Sequence, residues 1–147
     1  MAVERVSEYS PELREMFERL IPQLSRSAPA PTEEQIRQML AQGCLDLFVF
    51  RPDAPLEDGT HPLLGTLSLI SFQIPTGVRA WIEDVVVDQA ARGQGAGAAL
   101  VAAAVAHAKE MGCRTVDLTS RPSREAANRL YRRCGFATRE TNVYRHD

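Results

Sequence analysis

At 147 residues and 44% hydrophobic content, the chain is sized for one domain, 1–147, with a single sizeable core, and no second domain fits. A net charge of −2, with arginines not interleaved by aromatics, argues against nucleic acid as the partner. There is no run of about eighteen apolar residues and no signal-peptide core, so a soluble, cytoplasmic protein away from the membrane is expected. Cys44, Cys113 and Cys134 show no C-x-x-C spacing, and His61, His107 and His146 are scattered. Neither a disulfide framework nor a metal site is expected, and the thiols should be reduced and buried.

Val3 to Glu8 reads as a short first strand. Ser10 followed by Pro11 marks a helix start, with serine as the cap and proline where its missing N–H costs nothing. Leu13, Phe17, Leu20, Ile21 and Leu24 then give one apolar face. The Pro/Ser-rich stretch Ser25 to Pro31 breaks the chain. Thr32-x-x-Gln35 opens a second helix with a capping box ahead of Ile36, Met39 and Leu40, and Gly43 is placed as its left-handed C-terminal residue. Leu45 to Phe50 and Leu63 to Phe72 read as strands joined by a long turn, and Ala80 to Val87 is the central strand. A helix follows from about Ala96 to Met111, ended by Gly112. Thr115 to Ser120 reads as a strand and about Ser123 to Arg133 as a helix, giving a right-handed parallel crossover. Ala137 onward is expected to add one or two antiparallel strands. The fold class is therefore α/β, a mixed central sheet of about six or seven strands with helices on both faces.

The chain is organised around Trp81 to Leu100, where an apolar strand with adjacent carboxylates enters a glycine-rich turn that opens directly into an alanine-rich helix. Gly93, Gly95 and Gly97 let a ligand approach the backbone, and the unpaired N–H groups of a helix start favour anions. A nucleoside-triphosphate loop needs lysine after the glycines, but Ala98 and Ala99 follow Gly97. Gly93-x-Gly95-x-x-Ala98 satisfies a relaxed dinucleotide pattern, with Asp117 as the ribose partner. Against it, five residues separate strand from glycine, Asp117 sits inside a strand rather than at its end, and the chain stops too soon for a second half.

Arg92-x-x-Gly95-x-Gly97 resembles the [Gln/Arg]-x-x-Gly-x-[Gly/Ala] motif of the GNAT superfamily of N-acetyltransferases. Leu130-Tyr131-x-x-x-Gly135-Phe136 resembles that family's second cofactor motif, and the likeness covers roughly residues 45 to 137. It implies a GNAT-type sheet and acetyl-CoA as the acetyl donor. The pyrophosphate would lie on Arg92, Gly93, Gln94, Gly95, Ala96, Gly97 and Ala98. The backbone of Val85, Val86 and Val87 would hold the acetyl carbonyl and pantetheine arm. Many members have asparagine seven residues before the tyrosine, where Arg124 stands here; Asn128, one turn on, is the nearest candidate for a pantetheine contact. The two N-terminal helices would wall the acceptor site or serve as scaffold.

Acetyl transfer to a primary amine by direct attack in a ternary complex needs a base and an acid. The resemblance implies Glu83 as base and Tyr131 as acid, with Asp84 as the other carboxylate and buried structural pairing as the alternative for both. In a regular strand Trp81, Glu83, Val85 and Val87 share one face and Ile82, Asp84 and Val86 the other, so a single carboxylate reaches the cleft unless a bulge intervenes. Cys134 is a conceivable nucleophile, more simply a core or cap residue. Seven arginines lie between Arg121 and Arg145, as a solvated face or a patch for a phosphorylated cofactor. Ile82 to Val87 also resembles the matching strand of glucosamine-6-phosphate acetyltransferases, although Ala127 stands where those enzymes have asparagine. The acceptor, a small molecule or a peptide amine, stays open. The family's habit and the edge formed by Thr138 to Tyr144 imply a homodimer. The competing class is a non-catalytic acyl-CoA-binding regulatory or interaction domain.

Overall fold

A computed structural model describes residues 2–147. The elements run β1 (Ala2–Val6), α1 (Pro11–Leu24), α2 (Glu33–Ala41), β2 (Leu45–Arg51), β3 (Gly65–Ile74), β4 (Gly77–Val87), α3 (Ala96–Glu110), β5 (Thr115–Asp117) and α4 (Glu125–Arg133). The sheet has the order β1-β2-β3-β4-β5, antiparallel throughout except for the parallel β4–β5 pair. It is a mixed sheet flanked by helices, as expected, but with five strands instead of six or seven.

Local signals set the helix ends. The Ser10 hydroxyl accepts the Leu13 N–H at 3.3 Å, and Thr32 and Gln35 complete their capping box at 3.2 and 2.9 Å. Gly112, at φ +81°, closes α3 while the Cys113 N–H returns to Ala108 O at 3.0 Å. Gly43 does not take the left-handed role expected of it; α2 ends at Gln42 in an extended conformation. Pro22 lies inside α1, two residues from its end, so the missing backbone donor disturbs only the last turn.

Two apolar layers sandwich the sheet. On one side Leu13, Met16, Phe17 and Leu20 of α1 and Ile36 of α2 pack on Leu47, Val49 and Val86. On the other, Leu100, Val101, Ala104 and Ala108 of α3 pack on Phe48, Phe50, Leu67, Leu69, Ala80 and Ile82. Alanines at 104 and 108 let α3 sit close to the strands. Each fully buried leucine contributes about 1.5–3 kcal/mol relative to exposure.

The central strand is bulged. Thr66 pairs with Val86 and Ser68 with Glu83, so Leu67 alone faces both Asp84 and Val85. Asp84 takes φ +50°, a left-handed conformation that aspartate tolerates better than most side chains. The extra residue inverts the alternation. Ala80 and Ile82 face α3 before the bulge, whereas Val85 and Val87 pack on the α3 side after it and Val86 faces α1. Trp81 and Glu83 consequently lie on the α1/α2 face with Val86, and not with Val85 and Val87 as an unbroken alternation would have it.

The last strand is short. Pairing of β4 with β5 covers only Arg79–Thr115, Ala80–Val116 and Trp81–Asp117. Residues 118–120 leave the sheet, and 137–147 form no strand. Val143 and Tyr144, in this stretch, are exposed.

Candidate active site

Beyond Trp81, β4 has no neighbour on its β5 side. Its backbone groups from Ile82 to Val87 therefore line a gap between two diverging parallel strands. Glu83 stands on the α1/α2 side of this gap, and its Oε1 accepts the Trp81 indole N–H at 2.7 Å. Asp84, in the bulge next to it, is exposed like Glu83. Neither forms an ion pair among the described residues.

The gap leads into the glycine loop. Asp88 caps a short 3-10 turn over Gln89–Ala91 by accepting the Ala90 N–H at 2.8 Å. Arg92, Gly93, Gln94 and Gly95 are exposed, and Gly93 and Gly95 adopt φ +79° and +78°. A Cβ at either would meet no protein atom within 4 Å, so the chain's own packing does not account for these glycines. Left-handed backbone is one reason for glycine there; open space for a ligand is compatible with the other. Gly95 caps α3 with no side-chain bond, which leaves the first-turn N–H groups of Ala96, Gly97 and Ala98 directed outward. This cradle fits an anion such as a pyrophosphate.

Gly97 has a different purpose from the other two. A Cβ there would stand 2.9 Å from Leu130 Cδ2 and 4.0 Å from Val87 Cγ2, so its absence lets α4 close on α3. That approach sets Tyr131, which packs on the α3 side of the sheet and meets Phe136 edge-on at 6.1 Å. Burial raises the Tyr131 hydroxyl above its ordinary value, although Arg124 pulls it the other way. The phenol thus keeps its proton through neutral pH, as a proton donor must. Asn128 commits both amide hydrogens to the backbone, at 2.9 Å to Arg121 O and 2.9 Å to Arg124 O. It braces the turn before α4.

Other expectations are met unevenly. Cys44 is exposed and not buried, because it lies in the turn after α2; Cys113 and Cys134 are half-buried, and burial raises both thiols. Among the described residues no three His, Cys, Asp or Glu side chains gather as a metal site, and no helix is long and apolar enough to cross a membrane. His107 lies with Asp46 at 3.1 Å and Arg5 at 2.8 Å, away from the gap. Sequence reasoning missed Asp88, which is 4% exposed. An aspartate two residues ahead of an amide at a strand end is an Asx-turn signal, but its partners on α1 carried no sequence signal.

A split parallel pair, a bulged strand carrying carboxylates and a helix start with open backbone amides follow one another along β4. The family follows from comparison. Residues 12–136 match the model of the acetyltransferase (GNAT) family. Glucosamine 6-phosphate N-acetyltransferase 1 of Oryza sativa subsp. japonica is 36% identical over 129 residues, which span 84% of this chain and 73% of the relative. A putative acetyltransferase from Agrobacterium tumefaciens superposes with a TM-score of 0.79 at 26% identity, covering 100% of both chains. An aminoglycoside acetyltransferase from an uncultured soil metagenomic sample, in complex with sisomicin, gives 0.80 at 21% identity over 99% and 94% of the two chains, a likeness of fold. The chain belongs to the acetyltransferase (GNAT) family and is an acyltransferase, in a family whose acetyl donor is acetyl-CoA.

Proposed function

We propose that the chain moves the acetyl group of acetyl-CoA to the primary amine of a small molecule by direct attack in a ternary complex. The observation that carries this reading is the unpaired β4 edge, with Glu83 on one face of the sheet, half-buried Tyr131 on the other and the anion cradle at its end. Acetyl-CoA supplies an activated thioester when bound.

The protein's own residues divide the remaining work. The backbone N–H groups from Gly93 to Ala98 hold the pyrophosphate, with Arg92 adding charge at the rim. Val85, Val86 and Val87 offer backbone groups to an extended arm along the gap. Glu83, oriented by the Trp81 indole, takes a proton from the acceptor ammonium directly or through water. Asp84, next to it in the bulge, orients the amine. Tyr131 releases its Oη proton to the departing sulfur. Asn128 contributes by bracing the turn before α4.

The 36% identical relative puts glucosamine 6-phosphate at the head of an acceptor panel, followed by aminoglycosides and lysine peptides. Incubation of each amine with acetyl-CoA, read as appearance of free thiol, tests the assignment. No thiol release with any amine, together with tight acetyl-CoA binding, would leave a cofactor-binding domain and sink the catalytic reading.

A homodimer belongs to the same reading. Val143 and Tyr144 are 75% and 87% exposed, and α4 buries no residue fully, so a second copy has an unfilled surface to cover. A monomer by light scattering at assay concentration would overturn this.

A further inference from the structure

We propose that Arg19 and Gln23 of α1 are positioning residues for the cofactor loop, acting through Asp88; the assignment rests on the acetyl-CoA reading above. The Asp88 carboxylate is nearly sealed from solvent, yet it lies at the mouth of an exposed loop. Its Oδ2 accepts Arg19 Nε at 2.5 Å and Gln23 Nε2 at 3.0 Å. Its Oδ1 accepts the Ala90 N–H at 2.8 Å and Arg19 Nη2 at 3.4 Å. Gln23 also reaches past Asp88, its Oε1 accepting the Gln89 N–H at 3.2 Å. Burial raises the carboxyl, and the Ala90 N–H, Arg19 and Gln23 outweigh that and hold it below its ordinary value.

Ala91 and Ala96 anchor the two ends of the loop in the core, and the Asp88 N–H donates to Leu64 O at 2.8 Å, but the exposed stretch between them has few bonds of its own. Between Gly93 and Gly95 its bonds are the Gln94 amide to Ala90 O, at 3.3 Å, and the helical bond that Gly95 O accepts from Ala99. One of these leads back to the same turn. The position of the Gly93 and Gly95 N–H groups is therefore inherited from Gln89–Ala91, and that turn is gripped by two side chains sixty-five or more residues away in sequence. A charge-assisted, two-pronged arginine contact is the kind that fixes geometry rather than only adding attraction.

The experiment compares binding of two halves of coenzyme A, adenosine 3′-phosphate 5′-diphosphate and pantetheine, to wild type, Arg19→Lys and Gln23→Leu. Lysine keeps the charge and loses the fork; leucine keeps the bulk and loses the hydrogen bonds to Asp88 and Gln89, along with the one to Arg19 O within α1. For each variant the dissociation constant of the nucleotide half should rise roughly tenfold, with pantetheine affinity and kcat at saturating acetyl-CoA within about twofold of wild type. Equal weakening of both halves would mean a general structural role, and unchanged affinity for both would mean no role; either result overturns the proposal. A wild-type protein that binds neither half would fail the cofactor reading itself, a separate outcome.

Discussion

Helices α1 and α4 are both short, amphipathic and arginine-bearing, and the fold treats them in opposite ways. α1 buries Leu13, Met16, Phe17 and Leu20 and directs Arg14 to Glu18 at 3.2 Å and Arg19 to Asp88 at 2.5 Å. α4 buries no residue fully, and Arg129, Arg132 and Arg133 form no ion pair among the described residues. It is held chiefly through half-buried Leu130 and Tyr131, against a surface left open by Gly97. A helix with a sealed apolar face contributes stability, whereas one resting on two side chains contributes position. Changes in the apolar face of α1 should thus appear in unfolding experiments and changes in α4 in turnover, while Arg19 and Gln23 on the polar side of α1 act on the cofactor loop.

The largest expected effect lies on α4. Tyr131→Phe should lower kcat by ~10²–10⁴-fold with acetyl-CoA affinity and melting temperature nearly unchanged, since only a transition-state proton is removed. Wild-type turnover across the pH range would return the tyrosine to packing alone. Glu83→Gln should instead depress the acidic limb of the pH–rate profile and recover part of its rate at high pH, where the amine is already neutral.

On α1, Leu20→Ala should cost about 2–5 kcal/mol in denaturant unfolding, the range for a fully buried leucine, while kcat per folded molecule stays near wild type. If kcat collapses and stability holds, the division between the two helices is wrong.

Asp88 gives a pH test of the same division. Its folded-state value is depressed, so its contribution is fully present above the unfolded value of about 3.9 and is lost as pH falls through the folded value. Asp88→Asn should flatten the acid side of the stability–pH curve relative to wild type, measured by melting temperature between about pH 5 and pH 2. The smallest effect is expected from Arg129→Ser with Arg132→Ser, within about 0.5 kcal/mol in stability, as for exposed groups without partners. A larger loss that depends on protein concentration would place those arginines at a subunit contact.

How much of this was legible beforehand depended on range. The serine cap at Ser10, the Thr32–Gln35 capping box and the stop at Gly112 are settled by atoms within five residues of one another, and each lies where the sequence put it. So does the boundary between the central strand and α3, because an apolar run, a glycine loop and an alanine run are local patterns. Gly43 misled, since glycine permits left-handed backbone without requiring it.

The tertiary structure decided everything that needed a second segment. The bulge at Asp84 exists in the register against β3, and it alone determines that Glu83 and Val85 face opposite sides. Pairing of β4 with β5 stops at Trp81–Asp117, and residues 137–147 form no strand. Gly97 looked like its fellow loop glycines until Leu130 was seen 2.9 Å from where its Cβ would be. Asp88 carried no role in the sequence, and only the fold brings Arg19 and Gln23 of α1 to it. Sequence alone carries the free energies of neighbours along the chain; burial, register and paired charge depend on which distant residues arrive, and these belong to the fold.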